Sequence, residues 1–91
     1  MAEMQVGDVI GIQCEVRPGP FSEERMVTFD TIDGPVSGFV READLKEVNS
    51  QWYARAVIQD IRGEILHVRV KGSFFTTNGL ASVPRRYAMA A

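Results

Sequence analysis

The sequence predicts an all-β fold, a small antiparallel barrel of five to six short strands with at most one or two short helical turns. Short apolar runs, rich in β-branched and aromatic residues, are separated by Gly, Pro, Asn and Asp. These runs recur at roughly ten-residue spacing, and no long segment shows helical periodicity. The 91 residues, 45% of them hydrophobic, suit a single domain spanning 1–91.

The first strand is predicted over residues 9–17, where apolar and polar side chains alternate. Ile10, Ile12, Cys14 and Val16 occupy every second position. Since neighbouring side chains in a strand point to opposite faces, these four residues are expected to face the core. Pro18 ends the strand because proline has no N–H to donate.

Two further runs, 25–32 and 36–41, predict a hairpin. Asp33-Gly34 between them is typical of a tight turn. Residues 41–50 then interrupt the β pattern with good helix formers, which predicts one or two helical turns.

A second hairpin is predicted from 52–61 and 65–71, joined by a glycine turn over 62–64. The remaining tail is less regular. Residues 74–77 suggest a strand, 78–79 a turn, and 82–84 an extended segment before proline. Residues 87–91 suggest either a helical turn or a frayed end.

Charge is divided unevenly along the chain. Residues 1–51 carry four basic and ten acidic residues, whereas 52–91 carry six basic and two acidic residues. The net charge of −2 argues against a chain that binds nucleic acid by charge alone. The split predicts a polar binding face, an oligomer contact between unlike halves, or two halves that neutralise each other within one fold.

The cysteine content and the first residues favour a cytoplasmic protein. One cysteine, Cys14, cannot form an intramolecular disulfide, which favours a reducing compartment. The first residues show no signal-peptide pattern, and no apolar stretch is long enough to span a membrane.

Two groups of short motifs resemble SH3-like small barrels. Gly38-Phe39-Val40 followed by Leu45 resembles the end of bacterial SH3-type domains, and Gly79-Leu80 with Pro84 and Tyr87 resembles the closing segment of SH3 domains. Gly7-Asp8-Val9 and Gly19-Pro20-Phe21 are similar to KOW-type barrels. The glycine that the KOW pattern places after Phe21 is missing. The resemblance implies a barrel, and no residue role is carried over from it.

No catalytic or cofactor signature is present. Cys14 and His67 could form a nucleophile pair only if they met, but Cys14 lies on the apolar face of its strand and His67 on the polar face of 65–71. One cysteine and one histidine are too few for a structural zinc site. Nucleophile-elbow, phosphate-loop and dinucleotide motifs are missing. We therefore expect a non-enzymatic protein without metal or cofactor.

The strand 65–71 predicts a basic stripe. Leu66, Val68 and Val70 share one face, which leaves His67, Arg69 and Lys71 on the other with Ile65. Such a stripe suits a phosphate, a carboxylate or an acidic protein face. The alternative is an ordinary solvated face, paired with Asp60 or with the acidic first half.

Two aromatic doublets, Trp52-Tyr53 and Phe74-Phe75, raise a second expectation. Neighbours in a strand cannot both enter one core, so one ring of each doublet should lie outside the main core. An exposed ring favours an interface. A bulge, or a small second core beneath the tail, is the alternative.

The segment 72–87 is the densest candidate site, because it combines aromatic, amide, hydroxyl and arginine side chains. The predicted binding residues are Trp52, Tyr53, His67, Arg69, Lys71, Phe74, Phe75, Asn78, Arg85, Arg86 and Tyr87. The leading hypothesis is an interaction module that binds a protein partner or a second copy of itself. The alternative is a KOW-like RNA or ribosome contact through Arg55, Arg69, Lys71, Arg85 and Arg86.

Overall fold

The structure, a computed structural model, describes residues 3–74 and 79–90. Over these residues it contains nine strands and two single turns of 3-10 helix, Glu42–Asp44 and Arg85–Tyr87. The strands are β1 (Val9–Pro18), β2 (Glu24–Thr31), β3 (Gly34–Arg41), β4 (Leu45–Val48), β5 (Gln51–Arg62), β6 (Ile65–Val70), β7 (Ser73–Phe74), β8 (Leu80–Pro84) and β9 (Ala88–Ala90).

All strand pairs are antiparallel, and they form one sheet in the order β7-β3-β2-β1-β5-β6-β8. β4 pairs with β5 and β9 pairs with β1, both outside this order. The sheet curls into a half-barrel: beyond β2, the Ile32 N–H donates to the Ser82 carbonyl of β8 at 2.9 Å. The predicted all-β class is therefore confirmed.

The concave side of the curled sheet encloses one core. Its buried residues are Ile10, Ile12, Cys14, Val27, Phe29, Val40, Ala54, Ala56, Ile58, Leu66, Val68, Val70 and Val83. The buried apolar side chains of β1 and β6 are two residues apart, as the alternation predicted, and Gly11, which lies against the Tyr53 side chain, is buried as well. Val16 is only partly buried, because β1 ends two residues later at the edge of the core.

Both predicted hairpins are confirmed, since β2 pairs with β3 and β5 pairs with β6. The predicted number of five to six strands is too low. Residues 41–50 hold a single 3-10 turn followed by β4, and residues 87–91 include β9. Each of these two short strands completes hydrogen bonds along the side of a long strand. β4 pairs with β5, the next strand in the sequence, whereas β9 pairs with the distant β1.

The two halves of the chain repeat one arrangement. β1, β2, β3, a 3-10 turn and β4 form the first unit, and β5, β6, β8, a 3-10 turn and β9 form the second. β1 pairs with β5, and each unit lends its last short strand to the other unit's first strand. These reciprocal pairings describe a pseudo-two-fold axis between β1 and β5.

Ile12 and Ala54, which pair across β1 and β5, lie on this axis. Both are fully buried, and the large side chain of one fills the space left by the small side chain of the other. The outer face shows the same compensation between Gly11 and Tyr53. A Cβ at Gly11 would lie 2.9 Å from the Tyr53 Cβ, so only one bulky residue fits beside the axis.

The backbone of the two units agrees in detail. The residues before the 3-10 turns, Arg41 and Pro84, have φ/ψ of −66°/141° and −61°/139°. The first residue of each turn donates its N–H to the corresponding loop of its own unit, Glu42 to the Glu23 carbonyl and Arg85 to the Glu64 carbonyl. Equivalent positions can therefore be compared within one molecule.

Candidate functional site

The outward side of the second unit carries the strongest candidate site. Four strands contribute one residue each to a continuous cross-strand row, Val9, Val57, Arg69 and Leu80. Val9 and Leu80 are each 47% exposed, and Arg69 is exposed between Val57 and Leu80. We call this row, together with Arg55 and Lys71 beside it, the basic face.

The basic face is bounded at one end by a cluster of charges. The Asp44 carboxylate lies 3.5 Å from an Arg55 guanidinium nitrogen and 3.8 Å from the Lys71 Nζ. The Asp44 side chain is only 10% exposed, whereas Arg55 and Lys71 are 53% and 67% exposed. The Lys71 N–H also donates to the Arg55 carbonyl at 3.0 Å, which fixes the two cationic residues side by side.

The equivalent row of the first unit is polar. Its three paired residues on β1, β2 and β3 are Glu15, Thr28 and Ser37. They correspond to the residues that pair across β5, β6 and β8, which are Val57, Arg69 and Leu80. The hydroxyls of Thr28 and Ser37 share a hydrogen bond of 2.7 Å. The same backbone thus carries an acidic and hydroxyl-bearing row in one unit and an apolar and basic row in the other.

His67 faces outward in β6, and its Nδ1 lies 2.6 Å from the Ser82 hydroxyl of β8. Cys14 is buried in the core, so the two residues lie on opposite sides of the sheet, as predicted. Asp60 stands opposite His67 on β5, but its carboxylate accepts hydrogen bonds from Arg62 and from the Ile61 N–H. These contacts, led by that from Arg62, hold the pKa of Asp60 below its usual range.

The aromatic side chains largely serve the fold. Trp52 packs against the core, and Tyr53 lies outside the core cluster with its side chain over Gly11, as the alternation of the first doublet predicts. Phe74 also packs against the core, and its ring meets Phe29 edge to face at 5.5 Å. The predicted binding residues Phe75 and Asn78 lie outside the described residues.

Arg85, Arg86 and Tyr87 form the second 3-10 turn, so the structure places them at the end of β8. The Arg85 guanidinium donates to the Gly63 carbonyl at 3.2 Å, and the Arg86 guanidinium lies 4.9 Å from the Tyr87 ring centroid. Ile65 pairs with Pro84 at this end, whereas Arg69 pairs with Leu80 at the other end of β8. The two groups of arginines therefore do not form one patch.

Three parts of the basic face were not predicted from the sequence: Val9, Val57 and Leu80. Val9 precedes the alternating core positions of β1, so its outward direction follows from the same period that places Ile10 inward. Its position beside Val57 depends on the β1–β5 register, which no local pattern shows. Asp44 was read as part of a helical turn, and its approach to Arg55 and Lys71 was also not predicted.

Burial controls the chemistry of Cys14. Its side chain is 4% exposed, and desolvation raises the pKa of the thiol from its ordinary value of 9.0 to about 12. We expect thiol reagents at pH 8 to leave Cys14 unmodified in the folded protein and to modify it after unfolding. Rapid labelling of the folded protein would contradict its placement.

The raised pKa of Cys14 also predicts a pH dependence of stability. Well below pH 9 the thiol is protonated in both states, so stability is unaffected. Between about pH 9 and 12 the unfolded state loses this proton first, and the free energy of unfolding falls. A Cys14→Ala variant should lack this contribution, which parallel urea titrations of both proteins would measure. Identical pH profiles for the two proteins would count against it.

Within residues 3–74 and 79–90, no group of three or more His, Cys, Asp or Glu side chains is placed to hold a metal ion. No helix in this part of the chain is long and apolar enough to cross a membrane. Comparison of the chain with protein-family models, curated proteins and solved structures found no match.

Proposed function

We propose that the protein is a non-enzymatic, cytoplasmic interaction module that binds an acidic segment of a partner protein through the basic face. The observation that carries the proposal is the row Val9–Val57–Arg69–Leu80, in which an arginine lies between a half-buried valine and an exposed leucine, with a second exposed valine at the end of the row. Protein interfaces combine an apolar centre with arginine and a polar rim. Arg55 and Lys71 supply positive charge at the edge of this row.

The pseudo-symmetry supports a role in binding rather than in folding. The first unit builds the same three-strand arrangement with Glu15, Thr28 and Ser37 at the equivalent positions. The fold therefore does not require Val57, Arg69 and Leu80 to be apolar or basic. An exposed leucine and valine also expose apolar surface to water in the isolated chain, which a partner would cover.

A protein partner is favoured over RNA by the surroundings of the basic residues. Binding of single-stranded nucleic acid relies on exposed aromatic rings that stack on bases. Phe74 packs on Phe29 and Trp52 packs against the core, whereas Tyr53, which lines a cavity with Arg55, lies against Gly11. The Tyr87 ring contacts Arg86, outside the basic face. The neighbours of Arg69 in the row are instead Val57 and Leu80. Arg85 and Arg86 lie at the far end of β8 and do not extend the basic face.

The test compares the proteins retained from a cell lysate by the immobilised wild type and by Leu80→Asp and Arg69→Glu. An introduced charge in an apolar contact or a reversed charge should weaken binding at least about tenfold, which corresponds to ~1.4 kcal/mol. Ser37→Asp and Thr28→Glu, at the equivalent positions of the first unit, are the matched controls. Affinity for each retained protein is then measured with the purified components.

A partner retained by the wild type and the controls, but not by the two variants of the basic face, is the expected result. Equal retention by all five proteins would contradict the proposal. A second result would also contradict it: salt-dependent binding of a labelled single-stranded RNA that is abolished by Arg69→Glu. This outcome would assign the basic face to nucleic acid.

A further inference from the structure

We propose that the cavity beside the basic face binds a phosphate-type oxyanion carried by the partner. The proposal rests on the proposed function, because it assigns one chemical group to the partner's acidic segment. The cavity measures about 550 Å³ and includes Ser73 with five charged residues, Glu24, Arg41, Asp44, Arg55 and Lys71. Cations outnumber carboxylates in this lining by three to two.

Asp44 organises the two cations that carry the proposal. Its nearly buried carboxylate needs compensating charge, and the same oxygen, Oδ1, contacts both Arg55 and Lys71. Their side chains are more than half exposed, so each keeps donors available to a ligand. A carboxylate that holds an arginine and a lysine side by side at the rim of a cavity preorganises a site for an anion.

The second carboxylate in the cavity is Glu24, which stands opposite Arg41 in the β2–β3 register. Arg41 thus lies beside an acidic neighbour of its own, and Arg55 and Lys71 remain the pair that shares Asp44. A tetrahedral oxyanion presents three or more acceptor oxygens and can engage a lysine, an arginine and a hydroxyl together. A carboxylate presents only two oxygens, so phosphate is the better match.

The first unit provides an internal comparison. The positions equivalent to Arg55, Lys71 and Asp44 hold Gln13, Asp30 and Tyr87, and these three residues also line one shared cavity. That cavity measures about 240 Å³ and includes a second acid, Glu15. One backbone arrangement is therefore compatible with either sign of charge, so folding does not require the cations of the second unit.

The experiment titrates the full chain with inorganic phosphate at constant ionic strength and follows the backbone amide signals by NMR. We expect saturable shifts at residues 41, 55 and 71–73 in the wild type. Arg55→Gln, which installs the residue of the first unit, and Lys71→Ala should each weaken phosphate binding about tenfold, the effect of one charge-assisted hydrogen bond. Arg17→Gln, an exposed arginine of the first unit, should leave the affinity unchanged.

Titration with chloride provides the control for screening, since chloride lacks the oxygen acceptors of phosphate. O-phosphoserine serves as a second ligand and should bind the same residues as phosphate. Shifts spread over all basic residues, or equal affinity in wild type and Arg55→Gln, would overturn the oxyanion site. Partner binding that depends on Leu80 and Arg69 would then still stand. Conversely, phosphate could bind as expected while no partner is found whose binding depends on the basic face. That outcome would remove only the proposed function.

Discussion

Ile12→Ala is expected to lower the free energy of unfolding by about 2–5 kcal/mol. Ile12 is fully buried on the pseudo-two-fold axis, and its partner across β1 and β5 is Ala54. The variant would place two alanines face to face at the centre of the sheet, with a cavity between them. Such a loss is a large share of the 5–15 kcal/mol typical of a small domain. Urea unfolding followed by tryptophan fluorescence of Trp52 measures it.

The exchange Ile12→Ala with Ala54→Ile tests the symmetry directly. Ala54→Ile alone adds volume to a filled site and should cost about 1–3 kcal/mol. In the double variant the large and small side chains have only changed places across the axis. We therefore expect the double variant to be more stable than Ile12→Ala, with a strong favourable coupling between the two substitutions. Additive losses would contradict the equivalence of the two units.

Phe29→Ala is expected to cost about 3–5 kcal/mol, the range for an aromatic residue removed from a core. Phe29 is 2% exposed, and its ring supports Phe74 in an edge-to-face contact. Phe74 belongs to β7, which pairs with β3 at the edge of the sheet. Loss of the Phe29 ring should therefore loosen β7 as well as the core.

Phe29→Leu is the matched control, because it keeps most of the apolar volume and loses the aromatic contact. We expect a smaller loss of stability from it than from Phe29→Ala. Amide hydrogen exchange should show the loosening of β7 at Phe74 in both variants. Unchanged exchange at Phe74 in Phe29→Ala would show that the ring contact does not hold β7.

The local pattern of the sequence was sufficient to predict the regular strands. Alternation at Ile10, Ile12 and Cys14 identified the buried side of β1, and the same period identified Leu66, Val68 and Val70 in β6. Each of these predictions depends only on the direction of neighbouring side chains within one strand. The hairpins followed because their turns connect segments adjacent in sequence.

The short strands could not be predicted in this way. Residues 45–48 contain ordinary helix formers, and they become β4 by pairing with β5 across the two-residue turn Asn49-Ser50, in which both residues have positive φ. The pseudo-symmetry could not be predicted from the sequence either. Equivalent positions such as Ile12 and Ala54, or Gly11 and Tyr53, compensate each other in volume and so differ in identity.

Only part of the candidate site could be predicted from the sequence. His67, Arg69 and Lys71 were assigned to an outward stripe from periodicity alone, and the structure places Arg69 and Lys71 on or beside the basic face. Of their apolar neighbours, Val9 comes from β1, far away in the chain, and Leu80 comes from β8, whose register with β6 no local pattern shows. Trp52 and Phe74 were also predicted as binding residues, and the structure packs both against the core.

The binding role of the basic face is tested most directly by converting its row to the first-unit equivalent and measuring the affinity of the isolated partner for this variant. Val57→Glu, Arg69→Thr and Leu80→Ser together reproduce the row Glu15–Thr28–Ser37 on the same backbone. We expect a folded protein whose affinity for the partner falls at least about a hundredfold, as for the loss of a hot spot of ~2.7 kcal/mol or more. Partner binding retained at full affinity by this folded variant would contradict the account.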